Sequence, residues 1–552
     1  MHWKAFALWL LALIPLLIAL DGPPVQRAQE GRVVETARQM LGHGPQAWLI
    51  PSLNGEIRLR KPPLAYWMAA TSFSILGVSD WSARLPTALI SWLTVGATYA
   101  IARRRFGATA GVLSAACLLS SYLFFRYGRL AETDAPAAFF ATVAVHYFWR
   151  ALDEDRAILF HAAAAAVGMS LFAKQGPGFF PLIFFVSLSL MRRKPRAIWR
   201  FVKCGAPVTL IVLAGWWYGY AAMTRGIAQF SRELAEVTEG IDHPAPFYVY
   251  FPMILLAAGP SWLLMIGALV AAVRRRRDDP NLVALLVWAA SCFLPLCFVG
   301  NKQEHYLLPL MPPLMILVGW LVSLAGRPDS DARLVGAMRV LMVITIVTSI
   351  GAAVGIPVVA YHFHGGITAL DAVLAGWIGV FSILAWILLY KRSIILPVLT
   401  LSLAWMLAFP ILLGVWGRTF DPVDIRPIAM AIRQRFSGPF VFYGGDTSFP
   451  LCFALRQEIG RIDDKRPDLL RAAAERDPHL AVIWEVPQHG AGANLPPAGF
   501  VQVGPDYGAR GQHFRIYQLR SGGAGNSQEQ QTIGFGLVRT QALAGGENLR
   551  SA

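Results

Sequence analysis

The residues that could do chemistry collect in an unusual place. Glu30, Arg32, Glu35, Lys61, Arg126, Arg129, Glu132, Asp134, Lys174, His243, Lys302, Glu304, His305 and Tyr306 all stand at the ends of long apolar runs or in the loops beside them. Lys174 interrupts an otherwise apolar stretch, and Lys61 precedes two prolines. Lysines and arginines beside a few carboxylates make a site for an anion such as a phosphate held at a membrane surface. Each member also has a plainer reading. A lone lysine there snorkels, Arg129 and Asp134 are spaced for a structural ion pair, Tyr306 suits an interfacial aromatic, and His243 suits a solvated loop. The set is harder to dismiss than any one residue.

The elements that must position these residues are membrane spans. Of 552 residues, 55% are hydrophobic, and the mean hydropathy of +0.48 exceeds that of ordinary soluble enzymes. Apolar runs fall at roughly 5–20, 81–101, 108–125, 135–151, 158–173, 176–191, 205–223, 248–273, 281–299, 305–325, 336–360, 368–390 and 393–416, which makes thirteen crossings. Basic loops recur at 103–105, 150–156, 192–200, 274–277, 327–333 and 391–392, two crossings apart each time. Placing them all in the cytoplasm puts the chemistry-bearing residues outside. The net charge of +16 therefore reflects topology and an anion site, not nucleic-acid binding. The first run has no convincing cleavage site and reads as a retained helix. Five scattered cysteines give neither a disulfide framework nor zinc spacing.

An outer first loop, 21–80, carries two expected helices. Residues 30–41 place Val33, Val34, Ala37, Met40 and Leu41 on one face with charges opposite, and 64–76, after Pro62–Pro63, is apolar but too short to span. The expected organisation is a membrane domain over 1–416, a small extracytoplasmic α/β domain over 417–520 and a disordered tail over 521–552. Strands are expected at 440–443, 479–485, 500–503 and 514–519, with a helix at 467–475.

The motifs carry a resemblance. Gln29-Glu30-Gly31-Arg32-Val33-Val34-Glu35, Leu53-Asn54-Gly55-Glu56, Lys61-Pro62-Pro63-Leu64-Ala65-Tyr66-Trp67, Arg84-Leu85-Pro86, Arg129 with Asp134 and Pro136, Lys174 with Gly176-Pro177, and His305-Tyr306-Leu307-Leu308-Pro309 follow one another in order. Together they resemble membrane glycosyltransferases of the GT-C type, above all the aminoarabinose transferases of lipid A and, more distantly, the protein O-mannosyltransferases. The resemblance runs from about 27 to 313. It implies an α-helical polytopic GT-C fold in a bacterial inner membrane. The activity would be an inverting transfer from a polyprenyl-phosphate-linked sugar to a lipid or saccharide acceptor, lipid A-like, on the outer face.

By that resemblance Lys61 and Tyr306 engage the donor phosphate, with Lys174, Arg126 and Arg129 beside them. Glu30 and Asp134 are the catalytic carboxylates, and Arg32, Tyr66, His243 and His305 contact substrate. The family's first loop usually reads Asp-Glu, where this chain has Gln29-Glu30, so either Glu30 is the base or the acceptor is already ionised. The position before Lys61 is often acidic in the family and here is Arg60, which weighs against a divalent metal that the family otherwise leaves open. A protein O-glycosyltransferase and an inactive family member are the nearest rivals. A lipid or sugar transporter is a third, disfavoured because no repeat is apparent and the ionisable residues avoid the midplane.

Overall fold

The computed structural model describes residues 2–227, 245–416, 424–445, 447–486, 496–509 and 512–520. Within them each of the thirteen apolar runs is helical. Helices are forced here because lipid offers no partner for a free backbone N–H or C=O. Among the described residues seven helices are long and apolar enough to cross a membrane, from Asp80–Phe106 to Ile395–Gly414. Other runs are broken or short. The 248–273 run bends by 106° between Phe247–Ala257 and Gly259–Arg275, and the 108–125 run breaks at Ser120 and Ser121. The Met311–Ala325 helix is buried along nearly its whole length and forms the centre of the bundle. Gly319 lets it approach Ala108–Leu119 closely, since a Cβ there would fall 2.6 Å from the Ala110 carbonyl.

The first loop forms the expected helices, Ala28–Gly42 and Leu64–Leu76. Two details differ. Leu41 is exposed, and the face that was to carry charges is covered as well, with Glu30, Glu35 and Gln39 buried. The cover comes from the far end of the chain. Pro450 packs so closely on Gly31 that a Cβ there would lie 2.8 Å from its ring. Phe453 faces Phe73 at 6.1 Å, and Arg456 donates to the Val78 carbonyl at 3.0 Å.

Beyond residue 424 the described chain forms one mixed sheet. Its strands run Gly460–Ile462, Phe440–Tyr443, Ala481–Glu485, Gln512–Leu519 and Phe500–Gln502, with Tyr507–Ala509 also paired to Gln512–Leu519. The first two pairings are parallel. They need crossover connections, which the helices Phe449–Leu455 and Pro467–Arg476 supply. The expected tail, 521–552, lies outside the described residues.

One buried ion pair fixes the first loop to the bundle. Glu30 accepts from Arg84 Nε at 2.7 Å and from Arg84 Nη2 at 2.8 Å, and its Oε1 also accepts the Ala131 N–H at 3.0 Å. The remaining Arg84 donors go to the carbonyls of Leu20, Pro23 and Pro24. All five guanidinium N–H groups are thus placed, and neither partner is more than 2% exposed. Breaking such a pair strands a buried charge, at a cost of about 3–5 kcal/mol. Glu30→Gln should therefore lower the thermal unfolding midpoint of the purified protein by several degrees. A Glu30→Gln protein that melts like wild type but has lost turnover would instead make Glu30 the base.

Candidate functional site

The site is built where the first loop meets the C-terminal end of Ala157–Ala173 and the N-terminal end of Asp134–Glu154. Ser170 Oγ donates to the Ala137 carbonyl at 2.8 Å and holds Ala157–Ala173 against Asp134–Glu154. This sets Lys174, the residue ending one helix, opposite Asp134, the residue beginning the other. Lys174 Nζ lies 2.7 Å from Asp134 Oδ1 and 4.6 Å from the centroid of the Tyr306 ring. The next residue, Gln175, donates to the Arg60 carbonyl at 3.3 Å and to the Tyr218 hydroxyl at 2.7 Å. That clamp holds the loop carrying Lys61, whose ammonium feels the Lys174 charge. Pro62–Pro63 end the loop, and the Leu64–Leu76 helix starts directly after them.

Lys61 is the cation the local structure leaves uncompensated. Among the described residues no carboxylate lies within 4.0 Å of its ammonium. Burial and the neighbouring Lys174 charge push the amine down to about 8, against the pull of Asp134. His305 completes the group: it is buried in the 3-10 segment Glu304–Leu310, with Nε2 4.0 Å from Asp134 Oδ1. Asp134 Oδ2 and His305 Nε2 are buried without a hydrogen-bond partner. Buried polar atoms are rarely left so unless something binds there.

A polar wall stands behind this cluster. Arg27 Nε donates to Glu132 at 2.8 Å and Arg27 Nη1 to the Tyr127 hydroxyl at 3.3 Å. Tyr127 donates in turn to Glu304, which also pairs with Arg126 at 3.2 Å. The Tyr127 ring lies 5.4 Å from His305. Burial raises the Glu132 carboxyl above the ordinary range, while Arg27 opposes the shift.

The expected residues thus divide. Lys61, Asp134, Lys174, His305 and Tyr306 come together. Arg126 and Arg129 make no contact with them; they line a cavity together with Arg27, Glu30 and Arg84. The Arg129–Asp134 pair does not form, because Lys174 takes Asp134 and Arg129 donates to the Ile18 carbonyl. Glu30 is consumed by Arg84, so both its oxygens are occupied. Tyr66 is fully buried in packing and accepts from Arg58 at 3.0 Å. Arg32 is exposed and stacks 5.7 Å from the Phe449 ring. Lys302 is drawn to the carbonyls of Leu296, Cys297 and Val299, where a cation offsets the negative end of a helix. His243 lies outside the described residues.

Gln29 donates to Gln303 at 3.3 Å, and its own carbonyl oxygen is buried without a partner. Arg27 and Tyr127 were not picked out from the sequence. The signal for both was their closeness to Glu30 and Arg126 in loops already marked by charge. Among the described residues no three His, Cys, Asp or Glu side chains converge, and two lysines flank Asp134, an arrangement unsuited to a divalent cation.

Comparison with known proteins agrees with this architecture. Residues 60–218 match a family model described as dolichyl-phosphate-mannose-protein mannosyltransferase. An uncharacterised protein of Aquifex aeolicus is 28% identical over 351 residues, which cover 62% of this chain and 69% of that one. An undecaprenyl phosphate-alpha-4-amino-4-deoxy-L-arabinose arabinosyl transferase of Edwardsiella ictaluri is 25% identical over 391 residues, covering 67% of this chain and 65% of its own length. The chain thus spans about two thirds of the curated relatives it matches. In three dimensions it superposes on ArnT from Cupriavidus metallidurans, solved with undecaprenyl phosphate bound. The TM-score is 0.74 at 21% identity, over 94% of this chain and 99% of that one. The fold, the helices and the order of motifs lead to one conclusion: the chain is an integral bacterial inner-membrane protein with the GT-C fold, and it resembles the aminoarabinose transferases of lipid A.

Proposed function

We propose that the protein is an inverting glycosyltransferase that moves a sugar from a polyprenyl-phosphate carrier to an envelope glycolipid or saccharide on the outer face of the inner membrane. One observation carries the reading: Lys174 pairs with Asp134 at 2.7 Å, and the Lys61 ammonium feels both charges without a carboxylate at salt-bridge distance of its own. A carrier lipid cannot leave the bilayer, so its phosphate must be met at the membrane boundary by fixed cations.

In the transfer, the acceptor oxygen attacks the anomeric carbon from the face opposite the phosphate. The bond to the phosphate oxygen breaks, and that oxygen leaves with the electron pair as polyprenyl phosphate. Lys61 and Lys174 stabilise the charge growing on it. Asp134 Oδ2, which has no partner, orients a hydroxyl acceptor and takes its proton; an ionised phosphate acceptor transfers none. The mannosyltransferase-type match spans Lys61, Asp134 and Lys174, so it supports the donor half and leaves the acceptor to assay.

Lys61→Ala should keep the fold and lose one charge-assisted contact worth about 1.5–3 kcal/mol, a drop of roughly ten- to 150-fold in kcat/KM with lipid-linked donor. Wild-type turnover in that variant would remove Lys61 from the site.

The lowered Lys61 value gives a pH signature. The ammonium is present below about 8 and is lost as pH rises through it. Affinity for polyprenyl phosphate should therefore fall between pH 7 and 9, where the phosphate itself no longer titrates. Lys61→Arg should bind more weakly at pH 7 but without that fall, because a guanidinium stays charged. A flat wild-type profile would contradict the assignment.

Sidedness is tested with an impermeant thiol reagent on intact cells, in a background lacking the five native cysteines. Val501→Cys should label and Arg276→Cys should not; the reverse pattern would place the site on the cytoplasmic face.

A further inference from the structure

Three consecutive residues lead into the Asp134–Glu154 helix, and each keeps one buried side-chain atom without a partner among the described residues: Glu132 Oε2, Thr133 Oγ1 and Asp134 Oδ2. Thr133 stands just before the helix, where a threonine hydroxyl ordinarily caps the first backbone N–H groups. Here it makes no such bond. Gln29 Oε1 and His305 Nε2 are buried and unpartnered as well. One such atom is unusual in a folded protein, and three in succession beside the Lys174–Asp134 pair point to a use for them.

The two carboxylates differ in how firmly they hold a proton. Burial pushes Asp134 up, but Lys174 is foremost among neighbours that outweigh it and hold the carboxyl at about 2. Its place at a helix N-terminus favours the ionised form further. Burial pushes Glu132 up too, and there it prevails over Arg27, with the Asp134 and Glu30 charges adding to the rise. Glu132 is only 2% exposed, and Arg27 Nε holds its Oε1 at 2.8 Å. The charged groups facing it are thus Arg27, Glu30, Asp134 and, from the first loop, Lys61, with Tyr127 and Glu304 beyond Arg27. No other nearby group can take a proton so readily. Glu30 has both oxygens on Arg84, and Gln29, where the resembled family carries an acid, is an amide.

We propose that Glu132 is a catalytic residue of this site, the carboxylate on which the acceptor's proton comes to rest. The role rests on the proposed function. As the acceptor oxygen bonds to the anomeric carbon, its O–H bond breaks, the electron pair stays on oxygen and the proton goes to Asp134 Oδ2. From there it moves to Glu132 Oε2, and the Thr133 hydroxyl can accept from one carboxyl and donate to the other. Asp134 is again ionised against Lys174, and Glu132 is neutral beside Arg27. Arg27 keeps the Tyr127 hydroxyl and the field of Glu30. The proton is released after the product departs.

Two measurements on the purified full-length protein in detergent test this. Infrared titration of the carboxyl band needs no substrate. Wild type should show a buried carboxyl that loses its proton well above the ~4.3 of a free glutamate, and Glu132→Gln should lack it. Turnover is read as undecaprenyl phosphate released from undecaprenyl-phosphate-linked aminoarabinose, with a bacterial envelope glycolipid extract as acceptor. Wild-type kcat should fall as pH drops through the same midpoint, because a protonated Glu132 accepts nothing. Glu132→Gln should lose about a hundredfold or more in kcat, and the acidic limb with it, while KM for the donor stays within threefold. Glu132→Asp keeps the charge on Arg27 and draws the free oxygen back by one methylene. It should retain the limb at about a tenth of wild-type kcat, and it decides the matter if Glu132→Gln fails to fold.

A carboxyl titration that survives in Glu132→Gln overturns the proposal. So does a kcat within threefold of wild type, the result an ionised phosphate acceptor would give. A uniform loss at every pH, with the limb retained, makes Glu132 only the counter-ion of Arg27. Those three results strike Glu132 while wild type still turns over. No release of undecaprenyl phosphate by wild type strikes the transferase reading itself, and the role with it.

Discussion

The Glu30–Arg84 pair is the constraint on which the first loop and everything packed against it depend. Two opposite charges withdrawn from water hold together only if every remaining lone pair and N–H is answered, because each would otherwise carry its full desolvation cost. Here Arg84 gathers Glu30 and the carbonyls of Leu20, Pro23 and Pro24, while Glu30 also takes the Ala131 N–H. Three segments are thereby fixed at one point: the end of the first hydrophobic run, the start of the Ala28–Gly42 helix and the loop leading to Asp134. The same carboxylate that the sequence offers for chemistry fixes the geometry of the loop.

From that fixed point the charges sort themselves into two groups. Lys174 is pulled to Asp134, and Gln175 clamps the Lys61 loop beside the same helix ends. Arg27, Tyr127, Glu304 and Arg126 close ranks behind it through short, charge-assisted contacts. Arg129 is buried against the Ile18 carbonyl and the Phe125 ring instead. The low dielectric makes both arrangements consequential, since an unanswered cation near hydrocarbon attracts an anion far more strongly than one in water. The C-terminal domain belongs to the same construction: Pro450 and Phe453 of its helix Phe449–Leu455 pack on the first loop.

Much of the fold was legible. The strands at 440–443 and 514–519 and the helix from Pro467 carry strong local patterns and were placed correctly. The short strands Gly460–Ile462 and Tyr507–Ala509 were missed, because three residues make no pattern. The single-faced reading of Ala28–Gly42 failed for another reason. Burial of Glu35 and Gln39 depends on a segment some 400 positions later: Gln39 reaches Asn54, and Asn54 reaches Cys452.

The sequence by itself determined where the helices run and that cations gather at their ends. Apolar length and the need to satisfy every backbone group in lipid leave little choice, and a charge cannot sit far inside a span. It did not determine which charges meet. Glu30 and Arg84 are 54 positions apart, Asp134 and Lys174 are 40, and Arg126 and Glu304 are 178. Nothing local relates such pairs. A lysine beside Asp134 and a guanidinium beside Glu30 look alike in a list of residues. Only packing decided that Lys174 compensates Asp134, that Arg84 claims Glu30, and that Lys61 has no carboxylate at salt-bridge distance among the described residues.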